Sequence, residues 1–323
     1  MPPLATAVAP GSLTLLAADL RRTVVDVTRT VTLDRPRRGA VAIGPRTGVV
    51  RRAEPSSAGP LLIEARPESD GVALEVWGPA AVPAEAREQA LAAAGAWVGL
   101  DDHLDGFADA VSGHPLLREL SRRLGEVRLS RLPRLGEALG RAIIGQLVQG
   151  IEAARSTAQV AALAGTPAPG GLWCWPTPEQ LLRTPSWALR RCGVSLRSAR
   201  ALQSSAFSDH RLREAGTDWA LLDQRLRALP GVGVWTSGVT RLALGDPDAV
   251  PIGDWGLPGL IGHVLGGAGR DNWDDAAMLE LLAPFAGHRG RAIEVVKRAV
   301  SSRMVSGPRR RAPRAALSAH RYW

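Results

Sequence analysis

The residues from Leu226 to Trp255, LRALPGVGVWTSGVTRLALGDPDAVPIGDW, place two closely spaced glycines upstream of a lone carboxylate in an apolar setting. That carboxylate belongs to Asp254, whereas Asp246 and Asp248 fall in the earlier G-D-P-D loop. A fixed carboxylate kept away from water can stabilise positive charge that develops on a reacting substrate. From the residues alone, the favoured role of Asp254 is to cap a helix, which we predict over 254–265.

The two glycines belong to a short connection between helices predicted over 217–228 and 234–244, with the residues Leu229, Pro230, Gly231, Val232 and Gly233. Glycine at both positions allows positive φ and leaves backbone N–H groups uncovered at the start of the second helix, where Thr236 also lies. Such donors bind anions, and the phosphodiester backbone of DNA is the obvious one, contacted without any reading of sequence. The same connection is also common in α-helical proteins that bind no DNA.

Two kinds of structure must position these residues. Residues 11 to about 80 are predicted as strands. Three segments, TVVDVTRTVTL (23–33), PLLIEA (60–65) and VALEVWG (72–78), alternate β-branched and polar residues, and Gly/Pro/Arg-rich turns separate them. From residue 84 onward the pattern is typical of short amphipathic helices, among them 84–98, 134–149, 151–164 and 288–304. We predict an α+β chain: a strand-rich antiparallel β domain (1–100), an all-α body (101–306) and a basic arm (307–323). The segment AGTPAPGG (164–171) is predicted as an exposed loop.

The composition is that of a globular protein. The 323 residues are 45% hydrophobic and 22% charged, and no apolar run approaches the roughly 18 residues that a membrane span requires. The start, MPPLATAVAPGSL, lacks the pattern of a secretory signal, so a cytoplasmic location is expected. Two cysteines and six scattered histidines do not match the spacing of a metal site, and no intrinsic metal is expected.

The basic charge is concentrated at the C-terminal end. From Gly287 to Trp323 there are ten basic residues and one acid, Glu294, a local balance of +9 that equals the formal net charge of the whole chain. Such a segment beside a balanced body indicates either a polyanion partner or a solubilising tail. The charge alone does not separate these two alternatives.

Three segments resemble the helix-hairpin-helix DNA glycosylase superfamily, and most closely its bacterial 3-methyladenine DNA glycosylase II type. The first is LPGVGVWTSGVTRLALGDPDAVPIGDWGL, which is similar to the family's hairpin followed by an aspartate. The second, EALGRAIIGQLVQGIEAARSTAQVAAL (137–163), resembles the family's helix-loop-helix around G-Q-L-V. The third, WPTPEQLLRTPSWALRRCGVSLRSARALQSSA, resembles its P-T-P-E-x-L helix and the loop after it. They follow the family's order over about 140–300, and the family also has a β domain before its helical body.

The resemblance implies a function and a set of roles. It implies an enzyme that flips alkylated purines out of duplex DNA and excises them, with double-stranded DNA as partner. Asp254 would be the catalytic carboxylate, the hairpin at 217–244 would grip the DNA backbone, and Leu147 with Gln146 would form the wedge that fills the vacated space. From the residues alone, Leu147 is equally a buried helix residue, on a stripe with Ile143 and Ile151.

The lesion pocket is expected to use indole rings, because the chain has ten tryptophans but one tyrosine and three phenylalanines. Aromatic faces bind cations such as N3- or N7-alkylpurines. Trp235 matches a pocket tryptophan of the family, and the weaker candidates are Trp255, Trp173 and Trp175. No cofactor is expected beyond a structural cation at the hairpin when DNA is bound, and the protein is expected to be a monomer.

The chain also departs from the family's patterns. Lyase members carry a lysine in the helix after the hairpin, where this chain has Val234, Trp235 and Thr236, so a monofunctional enzyme is predicted. Val239 stands where the subfamily can carry a pocket tyrosine. His288 and Arg289 are predicted as phosphate or pocket contacts, with a solvated helix surface as the alternative. Two other functions remain open: a damage-binding protein with weak or no catalysis, and a general helix-hairpin-helix DNA-binding protein.

Overall fold

A computed structural model describes residues 14–17, 41–43, 49–57, 59–68, 71–78, 83–267 and 273–308. The strand predicted over 23–33 and residues 309–323 of the basic arm lie outside these ranges. The fold is an antiparallel sheet followed by a helical body, which confirms the predicted α+β class. The boundaries at residues 100 and 306 stay predictions.

The sheet has five strands in the spatial order β1-β5-β4-β3-β2 and is antiparallel throughout. The strands are β1 (Thr14–Ala17), β2 (Val41–Ile43), β3 (Val50–Glu54), β4 (Leu61–Glu68) and β5 (Gly71–Gly78). Because side chains alternate between the faces of a strand, Leu61, Ile63 and Leu74 are directed to one face. That face packs against the first helix, α1 (Ala84–Trp97), in a core that includes Ala94 and Trp97.

The described helical body is a series of short helices, each preceded by a proline, a glycine or a polar residue at its N-cap. Its helices are α2 (Phe107–Ser112), α3 (Pro115–Leu124), α4 (Leu135–Gly145), α5 (Gly150–Ala164), α6 (Pro178–Arg183), α7 (Ser186–Arg191), α8 (Leu196–Phe207), α9 (Asp209–Arg213), α10 (Trp219–Arg227), α11 (Val234–Ala243), α12 (Leu257–Leu265), α13 (Asp275–Leu282) and α14 (Arg289–Ser301). Capping is explicit at α6, where Thr177 and Gln180 form a reciprocal capping box.

Two hydrophobic clusters divide the helical body. One contains Leu139 of α4, Leu202 of α8, Leu226 of α10 and Val232 of the hairpin. The other contains residues of α2, α3, α12, α13 and α14, together with Val250. The hairpin therefore belongs to one cluster and the Asp254 segment borders the other, so the predicted site lies where the two clusters meet.

A buried ion pair joins the sheet to the helical body. Arg52 of β3 donates to Glu137 of α4 at 3.1 Å and to Glu54 at 3.2 Å, and the side chains of Arg52 and Glu137 are each 1% exposed. Burial alone raises the pKa of Glu137, but the adjacent Arg52 charge and hydrogen bonds outweigh burial and hold it below its ordinary value. The fold therefore depends on both charges being present together.

Two predicted boundaries are wrong in ways that matter for the site. The helix predicted over 134–149 ends at Gly145, because Gln146 has an extended backbone (φ −60°, ψ 127°) and a four-residue turn precedes α5. The loop predicted over 164–171 includes part of a small ribbon, in which Pro167–Ala168 pairs with Leu172–Trp173. Gly165 packs so tightly there that an added Cβ would lie 2.0 Å from the carbonyl oxygen of Cys174.

Candidate active site

The hairpin between α10 and α11 is held in a single tight conformation. Leu229 accepts a backbone hydrogen bond from Val232 at 3.0 Å, and the Val232 side chain is buried. Gly231 has φ +86°, and a Cβ on it would lie 3.2 Å from the Cβ of Ala201 in α8. Glycine is therefore required at residue 231 by conformation and by space.

Gly233 differs from this, because it does not use the positive φ that a glycine allows. Its φ is −102°, it is exposed, and an added Cβ would meet no protein atom within 4 Å. The first backbone bond of α11 runs from Ser237 N to Gly233 O, so the N–H groups of residues 234–236 precede the helical ladder. The surface at Gly233 is thus open beside a set of helix N-terminal donors, which is the arrangement that an anion needs.

The helices of the hairpin are braced by a polar network. The hydroxyl of Ser237 donates to Asp223 of α10 at 2.6 Å. Arg241 lies 3.6 Å from Asp223 and pairs with Asp246 of the G-D-P-D loop. Because one network touches α10, α11 and the loop after them, the angle of the hairpin is fixed from within.

The carboxylate of Asp254 is half-buried and held at both oxygens. One oxygen, Oδ1, accepts from the backbone N–H groups of Gly256 and Leu257, each at 2.9 Å. The other, Oδ2, accepts from the indole Nε1 of Trp235 at 2.9 Å. Helix α12 begins at Leu257 rather than at residue 254, but Asp254 does satisfy N–H groups at its start, as the capping interpretation predicted.

Asp275, which the sequence analysis did not single out, supports the turn before Asp254. Both of its carboxylate oxygens accept from the N–H of Gly253, at 3.1 and 3.0 Å. Gly253 has φ +86°, a conformation that glycine adopts readily. Asp275 lies in the first turn of α13, where an acid is ordinary, so nothing in the sequence marked it out.

The predicted wedge residue Leu147 projects from the turn between α4 and α5. Its side chain is 87% exposed, and its φ of +56° is left-handed, which is uncommon for a residue other than glycine. The alternative of a buried helix residue is therefore wrong. Ile151, the second residue of α5, is 56% exposed as well. A large apolar side chain held outward on a strained turn is typical of a functional contact rather than of a core.

Gln146 joins this turn to the hairpin. Its side-chain amide donates to the carbonyl of Gly231 at 2.7 Å and to the hydroxyl of Thr236 at 2.8 Å. One residue earlier, a Cβ on Gly145 would lie 3.5 Å from the Trp235 ring. Consecutive residues at the end of α4 therefore contact the hairpin and the tryptophan that binds Asp254.

Two predicted side-chain roles change as a result. The carboxamide of Gln146 was predicted as part of the wedge, but it is turned toward the hairpin. Thr236 was predicted to contact the DNA backbone, but its side chain is 2% exposed and accepts from Gln146. Its hydroxyl therefore holds the hairpin to α4, and only its backbone N–H remains suited to an anion.

The four predicted pocket tryptophans separate into two groups. Trp235 is half-buried against Asp254, and the adjacent Trp255 is 80% exposed. Trp175, in contrast, is 4% exposed and packs on Gly140 in the core of the helical body. Trp173 is half-buried in the small ribbon, whose neighbouring residues Leu172 and Cys174 pack against the sheet. The pocket prediction for Trp175 is wrong, because its ring fills core space that the absent side chain of Gly140 leaves.

His288 and Arg289 serve the fold. Arg289 forms a two-pronged ion pair with Asp248, including a 2.8 Å bond from Nε. The ring of His288 lies 5.6 Å from that of Phe107, and burial, with a further contribution from the charge of Arg291, lowers its pKa and favours the neutral imidazole. Both residues are partly exposed, and their predicted contacts to phosphate or the pocket stay predictions.

Several basic side chains of the C-terminal segment are buried or form ion pairs within the fold. Arg291 is fully buried and donates to Asp102 at 2.7 Å, and Lys297 donates to Glu294 at 2.8 Å. Arg298 is 6% exposed. The charge of α14 is thus directed inward, which weakens the interpretation of that part of the segment as a polyanion-binding surface.

Among the described residues, no group of three or more His, Cys, Asp or Glu side chains is placed to hold a metal ion. In the same ranges, no helix combines the length and the apolar character that crossing a bilayer requires.

Comparison with known proteins gives both sequence and structure relatives. No protein-family model matches the chain. It is 32% identical over 163 residues to the "probable bifunctional transcriptional activator/DNA repair enzyme AlkA" of Mycobacterium tuberculosis, a match that covers 49% of this chain and 33% of that protein. The chain therefore spans about a third of the length of the curated relatives that it matches.

The fold is similar to those of solved DNA glycosylases. A 3-methyladenine DNA glycosylase from Archaeoglobus fulgidus aligns with a TM-score of 0.73 at 20% identity, over 90% of this chain and 98% of that one. An 8-oxoguanine glycosylase/lyase from Clostridium acetobutylicum, in complex with double-stranded DNA, aligns with a TM-score of 0.66 at 12% identity, over 88% and 94% of the two chains. At these identities the structures establish the shared fold.

Proposed function

We infer that this chain is a member of the helix-hairpin-helix superfamily of DNA glycosylases, similar to its AlkA-like members, and that it excises alkylated purines from duplex DNA. The observation that carries the proposal is the geometry of Asp254. Its carboxylate accepts three hydrogen bonds, one of them from the tryptophan that directly follows the hairpin. The exposed apolar residue Leu147 lies on the turn that follows Gly145, and Gly145 lies beside the ring of this tryptophan.

The reaction begins with the grip on the DNA backbone. The open surface at Gly233 and the free N–H groups at the start of α11 suit a phosphate, whose contact carries no sequence information. Extruding a base from the stack costs a few kcal/mol. Insertion of the Leu147 side chain into the vacated space offsets part of that cost. Its exposure and outward turn meet the requirements of such a wedge.

The chemical step needs stabilisation of positive charge on the sugar. As the N-glycosidic bond breaks, its electron pair leaves with the base and C1′ becomes cationic, before the oxygen of water bonds to C1′ and loses a proton. Asp254 would stabilise the cationic sugar, and its three donors fix the carboxylate in place without neutralising it. An N3- or N7-alkylpurine is already cationic and needs no strong acid to leave. The indole of Trp235, with exposed Trp255 nearby in sequence, suits a cationic base.

We further propose that the enzyme lacks lyase activity and binds duplex DNA as a monomer. No lysine occurs in the first turn of α11, and the one lysine of the chain, Lys297, is paired with Glu294. A Schiff base therefore has no amine beside the hairpin. Borohydride trapping on DNA with an abasic site tests this, and a covalent adduct would show the proposal to be wrong. A cation bound at the hairpin with DNA remains part of the proposal, tested by DNA affinity with and without chelator.

The decisive experiment is the release of bases from methylated duplex DNA. We expect wild-type protein to release 3-methyladenine or 7-methylguanine, and Asp254→Asn to release far less while binding DNA normally. Asp248→Asn is the matched control, because the carboxylate of Asp248 pairs with Arg289 and not with Trp235. Binding to DNA with an abasic-site analogue without any release by wild type would support the alternative, a damage-binding protein.

A further inference from the structure

The turn that carries Leu147 has little support of its own. Helix α4 ends at Gly145, α5 begins at Gly150, and the residues between them include the left-handed Leu147. A left-handed backbone is unfavourable by about 1 kcal/mol for a residue with a side chain. An exposed Leu147 gains no burial that would offset this cost, so contacts of the neighbouring residues must hold the turn.

Gln146 supplies those contacts, and it makes them with the hairpin. A carboxamide nitrogen carries two hydrogens, and here both have acceptors. One is the carbonyl of Gly231, the residue that gives the hairpin its tight bend, and the other is the hydroxyl of Thr236 in the first turn of α11. The amide thus bridges the two ends of the connection that should grip the phosphate.

We propose that Gln146 is a positioning residue that couples insertion of the Leu147 wedge to the hairpin's grip on the DNA backbone. The proposal deepens the proposed function and rests on it. Because the amide fixes Leu147 relative to Gly231, a phosphate held at the hairpin sets the register at which the leucine enters the stack. Without the amide, the hairpin remains braced by Asp223 and Ser237, but the leucine turn is free to relax.

The test separates gripping from insertion. Gln146→Met keeps the length of the side chain and removes both donors. Affinity for undamaged duplex, measured by fluorescence anisotropy, should stay within about twofold of wild type, because the hairpin is intact. Single-turnover release of alkylpurine should fall about tenfold, since two neutral hydrogen bonds are lost near the surface. The signal of 2-aminopurine beside an abasic-site analogue, which rises on unstacking, should fall in parallel.

Thr236 provides a matched pair of variants. Thr236→Ser keeps the hydroxyl that accepts from Gln146 and should behave like wild type. Thr236→Val keeps the shape, removes the acceptor and should lose part of the extrusion signal at unchanged DNA affinity. Because the side chain is 2% exposed, neither change alters the surface that DNA meets. Equal behaviour of the two variants would contradict the proposal.

A double-mutant cycle decides whether Gln146 acts through Leu147. If it does, Gln146→Met should change the release rate by less than about twofold once Leu147→Ala is present. A full effect in that background, or a parallel loss of affinity for undamaged DNA, would instead mean that Gln146 only stabilises the fold. If wild type releases no alkylpurine, the proposed function fails, but the 2-aminopurine signals of the same variants still accept or reject the coupling.

Discussion

The hydrogen bond between Trp235 and Asp254 offers the sharpest test of the proposed chemistry. Trp235→Phe removes the indole N–H and keeps an aromatic ring at residue 235. The two backbone donors of Gly256 and Leu257 remain on the other carboxylate oxygen. In the variant, Oδ1 of Asp254 should therefore stay fixed by the two backbone N–H groups, while Oδ2 loses its hydrogen bond.

The size of the effect follows from the charge and the burial of the pair. A hydrogen bond to a charged group contributes about 1.5–3 kcal/mol. Trp235 and Asp254 are both half-buried, so solvent can replace part of the lost bond and the lower end of that range applies. If the bond matters in the transition state, about 1.5 kcal/mol corresponds to about a tenfold slower reaction. The smaller ring also loses contact with α4, which affects binding more than the chemical step.

Single-turnover release of alkylpurine, with protein in excess, measures this step without product release. Trp187→Phe is the matched control, because Trp187 is 64% exposed on α7. In an Asp254→Asn background, Trp235→Phe should have little further effect, because the carboxylate through which the N–H acts is gone. Release by Trp235→Phe within twofold of wild type, in a protein that melts normally, would refute the reasoning.

Three further predictions follow from the same contacts. Leu147→Ala should leave the melting temperature unchanged, because the side chain is 87% exposed, and should slow single-turnover release at least tenfold; an unchanged rate would remove the wedge assignment. Gly233→Ala should weaken binding to undamaged duplex without changing the free energy of unfolding. Gly231→Ala should lower the free energy of unfolding, measured by chemical denaturation, by about 1 kcal/mol or more, which is the cost of an L residue at positive φ. The stability of the fold should decrease as the pH falls below about 4.5, the ordinary pKa of glutamic acid. The reason is that the pKa of Glu137 is lowered in the folded state, so unfolding takes up a proton in this range. In thermal melts between pH 7 and 3, Glu137→Gln should be strongly destabilised at neutral pH, and its melting temperature should depend less on pH than that of wild type.

The sequence predicted the order of elements well, because strands and helices here differ in periodicity. Alternation in 60–65 and 72–78 predicted β4 and β5, and the hairpin was bounded to within two residues by Pro230 and the glycines. Asp254 was identified through the resemblance, and its capping role through the residues. The capping interpretation is confirmed, because Oδ1 binds the helix N–H groups, whereas the catalytic role stays a proposal, with Oδ2 bound to Trp235.

The failures have a common physical cause, which is that a side chain's partner is set by tertiary contacts. The pairing of Arg289 with Asp248 joins residues 41 positions apart, and no local pattern predicted it. Trp175 reads as a pocket wall until Gly140 is seen to leave room for its ring. The inward direction of Gln146 depends on acceptors 85 and 90 residues away, which no local pattern reveals.

Helix α4 explains how the site is held rigid across the two parts of the fold. Its first turn carries Glu137, which is paired with Arg52 of the sheet, and its last turn ends at Gly145 and Gln146, which contact the hairpin and Trp235. Loss of the sheet would leave Glu137 as a buried charge without Arg52, which would cost several kcal/mol of stability. Glu137 lies at the start of α4, and the end of the same helix positions the wedge. The sheet therefore supports the site through α4, although the hydrogen bonds of Asp254 come from Trp235, Gly256 and Leu257.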